Sequence, residues 1–259
     1  MIKSNKTKEK IQSGSPAIGT FVKLTDPSSV EILGLVGFDF VIIDSEHVGF
    51  NKETITQLIR TAELNDLTPI VRVRKNEEVE ILQMLDIGAQ GVQVPNVNTE
   101  NDAKKVIESV KYSPVGNRGF AGTNRAAAFG LMDGKEYAQI SNKETMVICH
   151  CETKTCIDNL DSILEENIDV IFIGPMDLSQ SLGVLAEADH PKVKEAIELI
   201  IKKVKSAGKE VGIIAANAEE AGNYINKGFR YITISSDQGM IVNFSKENLK
   251  KLNQFKNIK

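Results

Sequence analysis

The chain has 259 residues, 41% of them hydrophobic, with 31 basic and 35 acidic side chains interspersed for a net charge of −4. That length buries one sizeable core, and the lack of a basic stripe argues against a nucleic-acid partner. The Lys-rich start MIKSNKTKEK has no apolar h-region and no run approaches the roughly 20 apolar residues that span a bilayer, so the expectation is a cytoplasmic protein without a membrane partner.

After a segment expected to form an N-terminal helical extension, β-rich runs recur, each followed by a stretch of helical periodicity. In chain order the candidate strands are AIGTFVKL (17–24), FDFVIIDS (38–45), TPIVRVR (68–74), GVQVPNV (91–97), TMVICHCE (145–152), DVIFIGPMDL (169–178), KEVGIIAA (209–216) and FRYITISSD (229–237). Between them lie amphipathic stretches such as KETITQLIRTAELND, EEVEILQMLDIGA, TENDAKKVIESVKY and HPKVKEAIELIIKKVKSAGK. Several close on a glycine, Gly88, Gly208 or Gly228, suited to a left-handed helix cap. Parallel strands need crossover helices, and eight such units in about 250 residues is the size of a (β/α)8 TIM barrel. The expected fold class is therefore a single-domain α/β barrel over residues 1–259, with a doubly wound open sheet as the alternative. The one oversized connection, residues 98–144, carries YSPVGNRGFAGTNRAAAFG between two helical segments, and connections of that length are usually functional or mobile. Cys149, Cys151 and Cys156 share one segment without CxxC spacing, which predicts buried, reduced thiols rather than a disulfide framework or zinc knuckle.

In such a barrel the active site is built at the C-terminal ends of the strands, so the residues that end each strand carry the reading. Strand two ends in Asp44, Glu46 and His47, strand three in Arg72 and Arg74, and strand five in His150 and Glu152. Strand six ends in Gly174, Pro175 and Asp177, and strand eight in Ser235, Ser236 and Asp237. Alternation puts Arg72 and Arg74 on the face of Ile70, and His150 and Glu152 on the face opposite Cys149 and Cys151. The ionisable face should point to the barrel axis, where an unpaired charge is costly without a ligand or metal. Glu152 and Asp177 are hard oxygen donors suited to Mg²⁺ or Mn²⁺; the alternative is that Asp177 caps a helix and Glu152 pairs with an arginine. An inward Arg72 suits a substrate carboxylate, or else pairs with Glu152. His47 alone on a loop is by default a surface histidine.

The blocks GFDFVIIDSEH, TPIVRVRKNEEVEILQMLDIGAQGVQVPNV, YSPVGNRG, IDVIFIGPMDLSQSLG with the following HP, and GFRYITISSD resemble the HpcH/HpaI family of class II, metal-dependent pyruvate aldolases, over nearly the whole chain. The resemblance implies that Glu152 and Asp177 bind the divalent metal and that Arg72 grips the pyruvate carboxylate and enolate. It implies further that His47, assisted by Asp44, is the acid/base, working through a metal-bound water, and that Asp86 supports the histidine from a neighbouring subunit. The Gly174-Pro175-Met176 turn and His150 are expected to line the substrate. A homo-oligomer is implied too, a hexamer whose last helix is swapped between protomers. Where relatives such as the heptanedioate aldolase have VQIE this chain has CHCE, so His150 stands for a glutamine; an imidazole donates one hydrogen bond but also titrates or ligates metal. Similar proteins include a siderophore-pathway citrate synthase that condenses oxaloacetate with acetyl-CoA, and sugar-acid aldolases with an RANMFG-like segment comparable to Arg125–Gly130.

The activity expected is that of a carbon–carbon lyase cleaving or forming a 4-hydroxy-2-oxo acid from pyruvate, or a close 2-oxo acid, and an aldehyde. Citrate-synthase-type condensation is the first alternative. A Schiff-base aldolase using Lys23 or Lys75 and a non-catalytic binding barrel are the others, separated by borohydride trapping, chelator sensitivity and turnover.

Overall fold

Alternation along the strands decides the architecture. In β2 (Phe40–Asp44), Phe40 and Ile42 join one apolar cluster while Val41 and Ile43 join another. The same two-residue period separates Ile70 from Val71 in β3 (Thr68–Arg72), and Met146 and Ile148 from Val147 and Cys149 in β5 (Met146–Cys151). Strands apolar on both faces must be covered on both, which is the condition of a parallel sheet wrapped by helices. The computed structural model describes residues 2–253 and Phe255. In it these strands, with β1 (Ala17–Val22), β4 (Gly91–Val94), β6 (Val170–Ile173), β7 (Glu210–Ala215) and β8 (Tyr231–Ser236), close into one parallel barrel in chain order. Because β1 pairs with both β2 and β8, the expected single-domain barrel is realised and the open sheet is not.

Helix α1 (Lys6–Gln12) lies across the base of the barrel, where its Ile11 enters the inner cluster. The crossover helices are α2 (Pro27–Val36), α3 (Lys52–Leu64) and α4 (Glu78–Asp86), followed by α5 (Glu100–Val110) and α6 (Gly134–Glu144) between β4 and β5. Short α7 (Lys154–Asp158) and α8 (Leu160–Ile163) lead to β6, α9 (Pro175–Ser181) and α10 (Pro191–Ser206) lead to β7, and α11 (Ala218–Asn226) leads to β8. Gly88, Gly208 and Gly228 take the expected left-handed conformation, with φ of 109°, 68° and 94°. The HP pair starts α10: His190 caps it and Pro191 is its first residue. Among the described residues no helix is long and apolar enough to cross a membrane.

Every strand ends short of its expected range, and the ends of β3 and β6 show why. Strand six stops at Ile173, because Pro175 sets a helical φ and lacks the N–H a strand would need, so Pro175, Met176 and Asp177 form the first turn of α9. Arg74 lies beyond β3, exposed, with its guanidinium donating to the Phe50 carbonyl at 3.2 Å; the inward series ends at Arg72. The three cysteines are buried free thiols, and Cys149 and Cys151 face the outer cluster.

Inside the barrel, Phe40 stacks on Tyr231 with ring centroids 4.2 Å apart, in space left by a glycine: a Cβ on Gly19 would lie 2.4 Å from the Phe40 ring. Above them Phe21 and Phe172 meet edge to face at 6.2 Å and floor the mouth. The long connection after α5 packs against the chain rather than standing free. Ala126 N–H donates to the Asp86 carbonyl at 3.1 Å, Arg125 pairs with Glu63 at 2.5 Å, and Arg118 pairs with Asp86 at 2.6 Å. Helix α12 (Asp237–Asn253) keeps only Asp237 buried, and its Ile241 and Phe244 are 58% and 71% exposed.

Lys111 starts that connection with its ammonium buried, donating to the carbonyls of Asn142 and Thr145 at 2.9 and 2.7 Å. Burial pushes its pKa down from 10.5 to about 8. Between those values the unfolded chain binds a proton that the folded chain does not, so stability rises with pH through that window. Relative to Lys111→Met, the wild type should gain about 3 kcal/mol in denaturant unfolding between pH 7.5 and 10.5. A difference independent of pH would contradict this.

Candidate active site

The abrupt end of the apolar run Val41-Ile42-Ile43 has a partner one strand away. Asp44 ends β2, Arg72 ends β3, and the register sets them side by side. Both point inward, and Arg72 Nε and Nη2 donate to Asp44 Oδ1 and Oδ2 at 2.9 and 2.7 Å. Arg72 Nη1 lies 3.1 Å from Glu46 Oε2, and the guanidinium carbon sits 4.9 Å over the Phe21 ring. Asp44 Oδ1 also accepts the backbone N–H groups of Glu46 and His47, each at 3.2 Å, so the loop is wound on this carboxylate. Burial opposes the Asp44 charge, but the hydrogen bond and charge of Arg72, the His47 N–H and the nearby Lys23 outweigh it and hold its pKa below the ordinary value. For Glu46 burial wins over Arg72, and its pKa is raised.

The second cluster comes from β5 and β6. Glu152, one residue past β5, accepts the Asn96 N–H on Oε1 at 2.8 Å, and its Oε2 lies 2.7 Å from His150 Nδ1. His150 Nε2 is in turn 2.7 Å from the Gln93 amide nitrogen, and its ring stacks on Phe172 at 5.1 Å. With the amide donating, Nε2 is the acceptor and Nδ1 carries the proton, an assignment made from the contacts. Both ring nitrogens are thus engaged, and a hydrogen bond from His150 to a substrate would replace one of them. Burial opposes ionisation of Glu152, while His150, the Asn96 N–H and Arg72 favour it, leaving its pKa lowered. Asp177 is exposed at the third position of α9, whose N-cap is Gly174 without a side-chain cap. A Cβ on Gly174 would lie 3.1 Å from Glu152 Oε2 and 3.5 Å from Asp177 Oδ2. The glycine therefore leaves open the space between two hard oxygen donors, which fits a Mg²⁺ or Mn²⁺ ion that retains several waters.

Of the residues singled out in the sequence, Arg72, His47, His150, Asp177 and the Gly174-Pro175-Met176 turn line one cavity of about 380 Å³ at the C-terminal mouth. Glu152 lines an adjoining cavity of about 200 Å³ with Glu46, His47 and Asp177. Asp44 touches His47 through the main chain; the carboxylate nearest the imidazole is Glu46, 4.0 Å from Nε2. Asp86 is not brought to this mouth within the chain: it ends α4 at the opposite end of the barrel, paired with Arg118. Neither arginine pairing with Glu152 nor N-capping by Asp177 is present. Sequence reasoning missed Gln93, although a glutamine on the inward face of GVQV is itself a signal, and it missed the closeness of Glu46 to Arg72.

The sequence model of the HpcH/HpaI aldolase/citrate lyase family matches residues 17–243. A 5-keto-4-deoxy-D-glucarate aldolase of Salmonella paratyphi C is 36% identical over 236 residues, 91% of each chain. A crystal structure of an HpcH/HpaI aldolase/citrate lyase family protein from Burkholderia cenocepacia superposes with a TM-score of 0.91 at 31% identity, covering 96% of this chain and 100% of that one. The citrate synthase SbnG superposes with a TM-score of 0.88 at 28% identity, covering 97% and 98%.

The open space over Gly174 yields a direct test. Gly174→Ala places a methyl between Glu152 and Asp177, and Mn²⁺ affinity should fall at least ~10-fold, within the range for disturbed metal surroundings. Unchanged affinity in a folded variant would contradict the cradle.

Proposed function

This chain belongs to the HpcH/HpaI aldolase/citrate lyase family and is a carbon–carbon lyase, and from that premise we propose that it cleaves a 4-hydroxy-2-oxo acid, reversibly, into pyruvate or a close 2-oxo acid and an aldehyde. The observation that carries this reading is the convergence of Glu152 and Asp177 over Gly174 at the same mouth as Arg72. A 2-oxo acid needs an electron sink when its C3–C4 bond breaks. Glu152 and Asp177 would hold Mg²⁺ or Mn²⁺, which when bound supplies Lewis acidity at the keto group.

The chain's own residues supply the rest. Arg72 has five N–H donors, and Asp44 and Glu46 engage three, leaving two for the carboxylate of the 2-oxo acid. Because Asp44 fixes the fork, no side-chain ordering remains to be done on binding. His47 at the rim takes the proton of the C4 hydroxyl and returns one to C3, and Asp44 shapes its loop through the His47 N–H. Phe21 and Phe172 beneath the mouth exclude water from the developing carbanion. Asp86 reaches such a site only in a second copy of the chain, and the exposed apolar residues of α12 support an assembly in which that helix packs on a neighbour. Condensation of oxaloacetate with acetyl-CoA is the second reading, supported by the likeness to SbnG.

A panel of aldehydes with pyruvate, and oxaloacetate with acetyl-CoA, assayed with and without Mg²⁺ or Mn²⁺, tests the reading. The expected result is aldol product that chelator removes; chelator-insensitive turnover with borohydride trapping of pyruvate would contradict it. Arg72→Lys keeps the charge but loses the fork, and kcat/KM should fall by at least ~10²-fold. Near wild-type turnover would remove Arg72 from its role.

A further inference from the structure

Strand β4 adds no side chain to the 380 Å³ cavity, yet this strand and the turn after it bear on both oxygens of Glu152. The register Val94↔Cys149 brings that turn alongside the end of β5. There the Asn96 N–H donates to Glu152 Oε1 at 2.8 Å. On the inner face of the strand the Gln93 amide meets His150 Nε2 at 2.7 Å, and His150 Nδ1 lies 2.7 Å from Glu152 Oε2. A carboxylate has about four acceptor positions, so these two contacts leave two for an ion.

Neither residue is explained by stability. Gln93 is fully buried, and its Oε1 has no hydrogen-bond partner among the described residues. Burying an unpaired amide oxygen is costly, and an apolar side chain of similar volume would fill the place without that cost. What the amide contributes is one contact: it fixes Nε2, so that the imidazole, stacked on Phe172 at 5.1 Å, keeps Nδ1 on Glu152. Asn96 is exposed and sits in the left-handed region at φ 56°, where asparagine is tolerated and a β-branched residue is a genuine outlier. In that conformation its N–H is turned onto Glu152.

We propose that Gln93 and Asn96 are positioning residues that hold the Glu152 carboxylate toward Asp177 across Gly174, Gln93 through His150 and Asn96 through its main chain. This rests on the reading of Glu152 and Asp177 as the metal-binding pair, and it gives β4 a part in the site although its side chains stay out of the mouth.

Calorimetric titration of the metal-free protein with Mn²⁺ tests both residues. Asn96→Val disfavours the left-handed conformation and should weaken binding at least ~10-fold, whereas Asn96→Gly, which adopts it freely, should stay within about threefold of wild type. Gln93→Met keeps the volume without the amide and should also cost ~10-fold. In His150→Phe, which keeps a ring against Phe172, the same Gln93 change should cost nothing further, because the residue it acts through is gone. Equal losses in Asn96→Val and Asn96→Gly, a Gln93 loss that persists without His150, or unchanged affinity in Asn96→Val and Gln93→Met would each overturn the proposal. Crystal structures of metal-free wild type, Asn96→Val and Gln93→Met need no ion. If Glu152→Gln leaves Mn²⁺ affinity unchanged, the metal reading fails while these structures still decide the positioning: a Glu152 carboxylate turned from its wild-type place in both variants supports it, and one that stays overturns it.

Discussion

The ion pair between Arg72 and Asp44 is the contact from which the mouth of the barrel is organised. Each charge is buried at the barrel axis, where taking either partner away would leave an uncompensated charge costing several kcal/mol. The pair forms because strand register sets the ends of β2 and β3 side by side and alternation turns both residues inward. Much else follows from it. Asp44 winds the Glu46–His47 loop onto its free lone pairs, the guanidinium settles over Phe21, and two N–H groups of Arg72 are left aimed by a fork that cannot turn.

Around that pair the charges do not balance. Asp44, Glu46, Glu152 and Asp177 face Arg72 and Lys23, an excess of two carboxylates if all are ionised. Burial raises the pKa of Glu46 against the pull of Arg72, which favours its neutral form relative to an exposed glutamate. The divalent cation proposed between Glu152 and Asp177 would offset that excess and would add to the pull of Arg72 on a 2-oxo acid. His150 belongs to this arrangement as a brace: stacked on Phe172 and held by Gln93, it fixes one oxygen of Glu152 while the Asn96 N–H fixes the other. The buried Gln93 stands directly behind His150 and is coupled to it through the amide–imidazole contact.

Most of this was legible in the sequence, because a barrel sorts residues by a period of two and ends its strands at the chemistry. Phe40, Ile42 and Asp44 could be told from Val41 and Ile43 by parity alone, and so could His150 from Cys149 and Cys151. Parity misleads past a true strand end: it turns Arg74 inward although the ladder stops at Arg72, and it carries strand six through Pro175, which begins a helix. Contacts between strands distant in sequence were less accessible. The chain Gln93–His150–Glu152 joins β4 to β5, and no local pattern announces that a glutamine amide meets an imidazole nitrogen. Asp86 and α12 show a different boundary, since the first is paired with Arg118 within its own chain and the second leaves Ile241 and Phe244 exposed.

As proposed, the two carboxylates and Arg72 together let a bound 2-oxo acid lose a proton from C3, whichever aldehyde the enzyme takes. Proton NMR of pyruvate in D2O isolates that step, with no aldehyde present. The expected result is exchange of the methyl protons with solvent deuterium when enzyme and Mg²⁺ or Mn²⁺ are both supplied, abolished by chelator and by Glu152→Gln. Methyl signals that persist with enzyme and metal, or exchange that chelator leaves intact, would contradict it.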